Sequence, residues 1–138
     1  MKHALRIPAE LSQLAVVRQF IAELSASLGV PHTMCDPLAL AVDESVSNII
    51  VHGYRGQPGV IEIEIEQIDD SLRVHLRDHA PPFDPTRLPP PDTSLPLHLR
   101  PPGGMGVYLA RRSVDNIAYE RTADGGNQLT LTKKTTAS

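Results

Sequence analysis

The sequence predicts an α+β fold of two layers, with a mostly antiparallel, mixed sheet and helices packed on one face. Two apolar runs with helical spacing lie in the first third of the chain. A pair of strongly alternating segments follows, and a second alternating pair lies near the end. Because helices and strands are partly segregated along the chain, the helices are expected to cover one face of a single sheet.

The N-terminal part predicts one strand and two helices. Residues 3–8 are predicted to form a short first strand that Pro8 ends, and leucine, valine and isoleucine then recur at helical spacing over 10–28. The second helix is expected to begin with Asp36 as its N-cap and Pro37 in the first helical position. It is expected to stop at Gly53.

The remaining strands are predicted as two hairpins. In 60–66 isoleucines alternate with glutamates, and in 72–77 apolar residues alternate with arginine and histidine. The outer face of this hairpin would carry acids on one strand and bases on the other, and such cross-strand pairs contribute roughly 0.2–1 kcal/mol each. Strands over 114–121 and 127–133 are expected around an Asp-Gly-Gly turn.

A proline-rich segment separates the two hairpins. Residues 81–102 hold nine of the 13 prolines, so this stretch is expected to be neither helix nor central strand. Long loops of this kind inside compact domains are usually functional lids or disordered segments, and we expect a lid. A short helix should follow through about Arg112.

Size and composition limit the classes of function. With 138 residues and 15.0 kDa, the chain is expected to form one domain over 1–138. The net charge of −3 argues against a general nucleic-acid binder, so a role in transcription would act through a protein partner. A single cysteine, Cys35, and the absence of an apolar run near the roughly 18 residues of a membrane span favour a cytoplasmic protein.

Asp78 is the most informative single residue. Continuing the alternation of 72, 74 and 76 places it on the inward face of its strand. A carboxylate there is costly unless a partner satisfies it. One interpretation is a strand-end aspartate that reaches solvent or caps a turn. The other is an acceptor for a buried ligand, such as an exocyclic amine.

Glu44 and Asn48 are four residues apart on the second predicted helix and share a face. Leu40 and Val51 lie near the same azimuth, so the surroundings of Glu44 should be partly apolar, and it is a candidate general base. The amide oxygen of Asn48 is a candidate Mg²⁺ ligand. Taken alone, such a pair is more often part of a solvated helix face, because helix surfaces commonly carry one.

Gly104-Met105-Gly106 precedes a predicted helix and suits phosphate binding. Glycine allows close approach of the backbone, and a helix N-terminus offers free N–H groups. The motif is neither a P-loop nor a dinucleotide fingerprint, and an ordinary loop-to-helix turn is the alternative interpretation.

The order of these motifs resembles that of the GHKL ATPases. The helix over 43–54 resembles their N box, 76–85 looks like the first glycine box, and 103–115 looks like the second. The small size, the Pro-Phe-Asp-Pro run at 82–85 and the ending over 126–133 resemble the anti-sigma serine-kinase branch.

The resemblance implies a Bergerat-type sandwich that binds ATP between sheet and helices under a mobile lid. Glu44 would match the catalytic base, Asn48 the Mg²⁺ ligand, and Asp78 the residue that binds the adenine amino group. The nucleotide-binding residues that it implies are Asn48, Asp78, Ala80, Phe83, Gly103, Gly104, Met105, Gly106, Val107 and Thr130.

The function implied is that of an ATP- and Mg²⁺-dependent serine kinase. Such a kinase phosphorylates a small antagonist protein, the anti-anti-sigma factor, and captures a sigma factor, often as a homodimer. Ala80 stands where the family usually has glycine, and its methyl would narrow the space for the base. A regulatory module that binds partners without phosphotransfer is therefore the alternative. A sensor-kinase fragment is disfavoured, since no helix pair bearing a phosphoacceptor histidine is evident.

Overall fold

The computed structural model of the chain describes residues 2–87, 110 and 112–135. Most of the predicted lid, and the glycine segment 103–107, lie outside the described residues. In chain order the elements are β1 (Lys2–Pro8), a 3₁₀ turn (Leu11–Gln13), α1 (Leu14–Ser27), α2 (His32–Asn48), a π-helical turn (Ile49–Tyr54), β2 (Val60–Ile68), β3 (Ser71–Asp78), a 3₁₀ turn (Pro85–Arg87), β4 (Asn116–Arg121) and β5 (Asn127–Lys134).

The five strands form one sheet in the order β1-β2-β3-β5-β4. All four pairings between these strands are antiparallel. The predicted α+β class and the mostly antiparallel sheet are confirmed. The parallel component of a mixed sheet is not found among the strands that the structure describes.

The core lies between the sheet and the two helices. The inward residues of β2, β3 and β5 alternate with outward ones, and the helices bury one side against them. The core side chains that are at most 2% exposed are Ile7, Val17, Ile21, Leu38, Ala41, Val42, Val46, Ile61, Ile63, Ile65, Leu72, Val74, Leu76, Ala110 and Leu131. This one-sided packing matches the expected two layers.

The outer face of the first hairpin carries the predicted charge pattern. Its three cross-strand pairs of acid and base, as the register gives them, are Glu62–Arg77, Glu64–His75 and Glu66–Arg73. The Arg77 guanidinium also lies diagonally 3.4 Å from the Glu64 carboxylate. Because these side chains are partly exposed, they contribute more to strand register than to stability.

The predicted start of α2 was wrong by five residues. The helix begins at His32, and Pro37 lies inside it rather than in the first helical position. The carbonyl of Pro31 accepts the first backbone bonds, and the buried Cys35 lies 3.0 Å from Ser25 of α1, measured from Sγ to Oγ. Packing of this first turn on α1 therefore offsets the one helical hydrogen bond that an internal proline removes.

Tyr54 ties the end of the helical layer to the sheet. Its ring is buried, at 8% exposure, its hydroxyl donates to the carbonyl of Val60 at 2.8 Å, and it accepts the His79 N–H at 2.9 Å. One side chain thus joins the start of β2 to the residue that follows β3. A Cβ at Gly59 would overlap its ring, so glycine is required there.

Replacing Tyr54 with phenylalanine is expected to lower the free energy of unfolding by about 1–3 kcal/mol, because two backbone groups lose their partner. Urea denaturation measures the change. Ser27→Ala is the control, since it removes a hydroxyl bond at a helix end and is expected to cost at most about 0.5 kcal/mol. Equal losses in both variants would contradict a clamping role for Tyr54.

Candidate functional site

A cleft opens between the end of α2, the ends of β3 and β5, and the segment that follows β3. The described residues that line it are Ser45, Asn48, Ile49, Asp78, Phe83, Pro85, Ala110, Ile117, Asn127 and Leu129. Six of these are apolar, and the four polar ones converge on one cleft. Apolar walls with a few placed polar groups are typical of sites for small molecules.

Asp78 is the last residue of β3 and forms part of the cleft wall. It is 5% exposed, which confirms the predicted inward orientation. Its Oδ1 accepts the Ala80 N–H and the Asn127 Nδ2–H, each at 2.9 Å. Burial raises the pKa of this carboxyl above its ordinary value, while the bonds from Asn127 and Ala80 oppose the shift.

Asn127, opposite Asp78 in the register of β3 and β5, was missed by the sequence analysis. It is 5% exposed, and its Nδ2 bonds the carbonyl of Ala80 as well as Asp78, again at 2.9 Å. Its Oδ1 accepts the Tyr119 hydroxyl at 2.5 Å and an Arg121 N–H at 3.2 Å. The carboxamide is therefore fully bonded on both sides.

The turn between β4 and β5 makes this close approach possible. A Cβ at Gly126 would lie 2.5 Å from the backbone oxygen of Asp78, so any side chain there would separate β5 from the end of β3. Gly125 adopts a positive φ of 87°, which favours glycine. The predicted Asp-Gly-Gly turn thus serves the site as well as the hairpin.

Helix α2 brings two polar side chains to the cleft. Asn48 lines it, and Ser45, one turn earlier, lines it as well. The Ser45 hydroxyl donates to the Ala41 carbonyl at 2.7 Å, so its proton is engaged within the helix. Glu44 is half-buried beside Ser45 and is not among the described lining residues, which places it next to the cleft rather than in its wall.

Phe83 lines the cleft and comes from the first residues after β3. It is half-buried, and its ring centroid lies 6.4 Å from that of His52, with the two planes tilted by 33°. Pro85, in the 3₁₀ turn that follows, is buried and lines the same wall. The beginning of the predicted lid therefore closes one side of the cleft.

The placement of Thr130 in the site was wrong. Leu129 and Leu131 face the core, so the alternation of β5 turns Thr130 to the outer face of the sheet. There its hydroxyl lies 3.0 Å from Nδ1 of His75. Burial, together with the nearby Arg77 charge, lowers the pKa of His75, which lies on that same outer face.

Ala80 contributes to the site through its backbone, not its side chain. Its N–H and carbonyl bond Asp78 and Asn127, and it is not among the described lining residues of the cleft. The methyl lies beside Gly53, where an added Cβ would be 3.1 Å from it. The expectation that this methyl narrows the space for a base is therefore corrected.

Two further observations concern metal binding and membrane spans. The described residues hold no group of three or more histidine, cysteine, aspartate or glutamate side chains that could bind a metal ion. No helix in the described part of the chain is long and apolar enough to cross a membrane. The predicted residues Gly103, Gly104, Met105, Gly106 and Val107 lie outside the described residues.

The fold agrees with comparisons to known proteins. The sequence profile of the histidine kinase-like ATPase domain family matches residues 7–133, and the chain belongs to this family. Among its relatives are two named serine-protein kinase RsbW. The one from Bacillus cereus (strain Q1) is 27% identical over 136 residues, covering 96% of this chain and 84% of the relative. The one from Bacillus thuringiensis subsp. konkukian is 28% identical with the same coverage.

A third relative and one solved structure support the same family. The serine/threonine-protein kinase BtrW of Bordetella bronchiseptica is 34% identical over 96 residues, 69% of this chain and 67% of that protein. A crystal structure of the RsbU and RsbW domains of Rv1364c from Mycobacterium tuberculosis superposes with a TM-score of 0.69 at 21% identity. It covers 97% of this chain and 32% of the longer one, and it shows the fold. The predicted resemblance to the GHKL class and its anti-sigma serine-kinase branch is confirmed.

Proposed function

We propose that this protein is an ATP-dependent serine-protein kinase of the anti-sigma type. The observation that carries the proposal is the buried Asp78 carboxylate on an apolar cleft, in a chain of the histidine kinase-like ATPase family. Relatives named as serine-protein kinases support the choice of substrate class.

The cleft fits an adenine base. Ile49, Ile117 and Leu129 offer apolar surface to a flat ring, and Phe83 adds an aromatic one. The Asp78 carboxylate is a strong acceptor for an exocyclic amine, and a buried acceptor of this kind contributes more than an exposed one. We therefore assign recognition of the adenine base to this part of the cleft, around Asp78 and its apolar neighbours.

Asn48 is the described side chain suited to hold Mg²⁺. Since no acidic cluster is available among the described residues, the ion would be held by the Asn48 amide oxygen together with phosphate oxygens. When bound, Mg²⁺ supplies positive charge that offsets the charge of the phosphate groups. The role of Asn48 is to orient that charge from the rigid end of α2.

Glu44 is the proposed general base. It lies one helical turn from Asn48 and next to the cleft, where a protein serine approaching from solvent can reach it. Its carboxylate would accept the proton of the serine hydroxyl while the serine oxygen bonds to the γ-phosphorus of ATP, the bond from that phosphorus to the bridging oxygen breaks, and ADP leaves. Most of the remaining rate enhancement would come from positioning and electrostatics.

The exposed residues around Glu44 suit a protein partner. Leu40, one turn before Glu44 on α2, and Val51, in the π-helical turn that follows, are 43% and 45% exposed. Large apolar side chains exposed beside a polar site are typical of interaction surfaces. We assign this surface to the small antagonist protein. Capture of a sigma factor by a homodimer of this chain is proposed from the serine-kinase relatives.

The proposed activity is tested by incubating the purified protein with γ-labelled ATP, Mg²⁺ and a small antagonist protein of the anti-anti-sigma type. Label on a serine of the antagonist is expected, and chelation of Mg²⁺ by EDTA should abolish it. Binding of ATP without labelling would instead favour the regulatory module. Failure to bind ATP at millimolar concentration would contradict the kinase and leave only a module that binds its partners without nucleotide.

A further inference from the structure

The Asn127 carboxamide has an orientation that its neighbours fix. Two acceptors, Asp78 Oδ1 and the Ala80 carbonyl, face its nitrogen, and two donors from Tyr119 and Arg121 face its oxygen. Exchanging the nitrogen and oxygen would set donors against donors and acceptors against acceptors. Tyr119 and Arg121 on β4 therefore determine which atom Asn127 presents to Asp78.

This arrangement gives the two oxygens of the Asp78 carboxylate different roles. Both hydrogen bonds from the described residues end on Oδ1, one from Asn127 and one from the Ala80 backbone. Oδ2 is then the oxygen with acceptor capacity left for a ligand. The polar atoms of Asn127 are all engaged within the protein, so this side chain offers a ligand no free polar group.

We propose that Asn127 is a positioning residue that sets nucleobase specificity, by holding the Asp78 carboxylate with a single oxygen free for the amino group of a 6-aminopurine. The inference rests on the proposed nucleotide-binding function. The selectivity then depends on one direct contact, between the Asp78 carboxylate and the amino group of the purine. Strand β5 adds no second polar contact to the base. Purines without a 6-amino group leave that buried oxygen unsatisfied and bind weakly.

The inference predicts how selectivity depends on the donor at position 127. The measured quantity is the ratio of dissociation constants for purine riboside triphosphate, which lacks the amino group, and ATP. The ratio is expected to be at least about tenfold in the wild-type protein. A general loss of folding would weaken both nucleotides alike and leave this ratio unchanged, whereas loss of carboxylate orientation would lower it.

Two variants of nearly equal shape provide the test. In Asn127→Thr a hydroxyl can still donate to Asp78, and the ratio is expected to stay within about twofold of wild type. In Asn127→Val no donor remains, and the ratio is expected to fall about fivefold or more. Gln128→Val is the control. Gln128 lies on the opposite face of β5 from Asn127, and its side-chain oxygen accepts a hydrogen bond from Arg77 of β3.

Tyr119→Phe is a second variant that leaves Asn127 in place and removes one donor to its oxygen. A lowered ratio is expected here as well, and it keeps the test decisive if Asn127→Val does not fold. An unchanged ratio in folded Asn127→Val, or in Tyr119→Phe where Asn127→Val does not fold, would overturn the role of Asn127 while leaving ATP binding intact. Absence of binding of either nucleotide to the wild-type protein would overturn the proposed function itself.

Discussion

Asp78→Asn is expected to abolish ATP binding while leaving the fold intact. The Asn oxygen can still accept the bonds from Ala80 and Asn127, so its nitrogen would take the place of the free carboxylate oxygen. A donor would then face the amino group of adenine, which is also a donor. We expect a loss of about 3 kcal/mol or more, which is roughly 100-fold in the dissociation constant.

The same substitution is expected to change stability in the opposite direction. Burial raises the pKa of Asp78 above its ordinary value of 3.8, so the folded state holds this proton more tightly than the unfolded chain does. The free energy of unfolding therefore decreases as pH rises from about 3.8 through the raised pKa of the folded protein. Above that range the buried charge costs stability that the neutral Asn does not.

Calorimetric titration with ATP and urea denaturation at pH 4 and pH 7 measure the two effects. The stability of Asp78→Asn relative to wild type should be greater at pH 7 than at pH 4. The matched control is Asp69→Asn in the exposed β2–β3 turn, where φ is 52° and asparagine is well tolerated. Unchanged ATP affinity in Asp78→Asn would remove this carboxylate from base recognition.

Glu44→Gln is expected to lower phosphoryl transfer to a partner serine by about 10²–10⁴-fold, the usual contribution of a general base. ATP affinity should stay within about twofold, because the described walls of the cleft do not include Glu44. Single-turnover transfer of labelled phosphate and calorimetric titration with ATP separate the two effects.

The control for this variant is Glu23→Gln on α1. Glu23 is exposed and accepts a hydrogen bond from Gln19 one turn earlier. In the sequence it is far from the polar residues that line the cleft. Its replacement should leave both transfer and ATP binding unchanged. If Glu44→Gln retained wild-type turnover, proton abstraction would have to be assigned to another group.

The sheet and its buried acid were predictable because alternation reports directly which side chains face inward. The run through Leu72, Val74 and Leu76 placed Asp78 correctly. The same rule applied to Leu129 and Leu131 would have found Asn127 and excluded Thr130. Thr130 was assigned by resemblance rather than by the period of its own strand, and this is why it was misplaced.

Other parts of the structure were not accessible from local pattern. Asp36-Pro37 has the chemistry of a helix start, but the contact of Cys35 with Ser25 on another helix moves the start to His32. The chain of hydrogen bonds from Tyr119 through Asn127 to Asp78 depends on the register of three strands. Such long-range pairing is set by the whole sheet, which no single segment encodes.

The π-helical turn over 49–54 has a consequence for how this segment tolerates change in length. Its backbone bonds join residues five apart, as from the Arg55 N–H to the Ile50 carbonyl, so the turn holds one residue more than α-helical bonding would. Removal of one residue here is expected to be absorbed by a change to α-helical bonding. A further inserted residue has no such outlet and would turn Tyr54 away from the sheet, so its hydroxyl would lose both backbone partners.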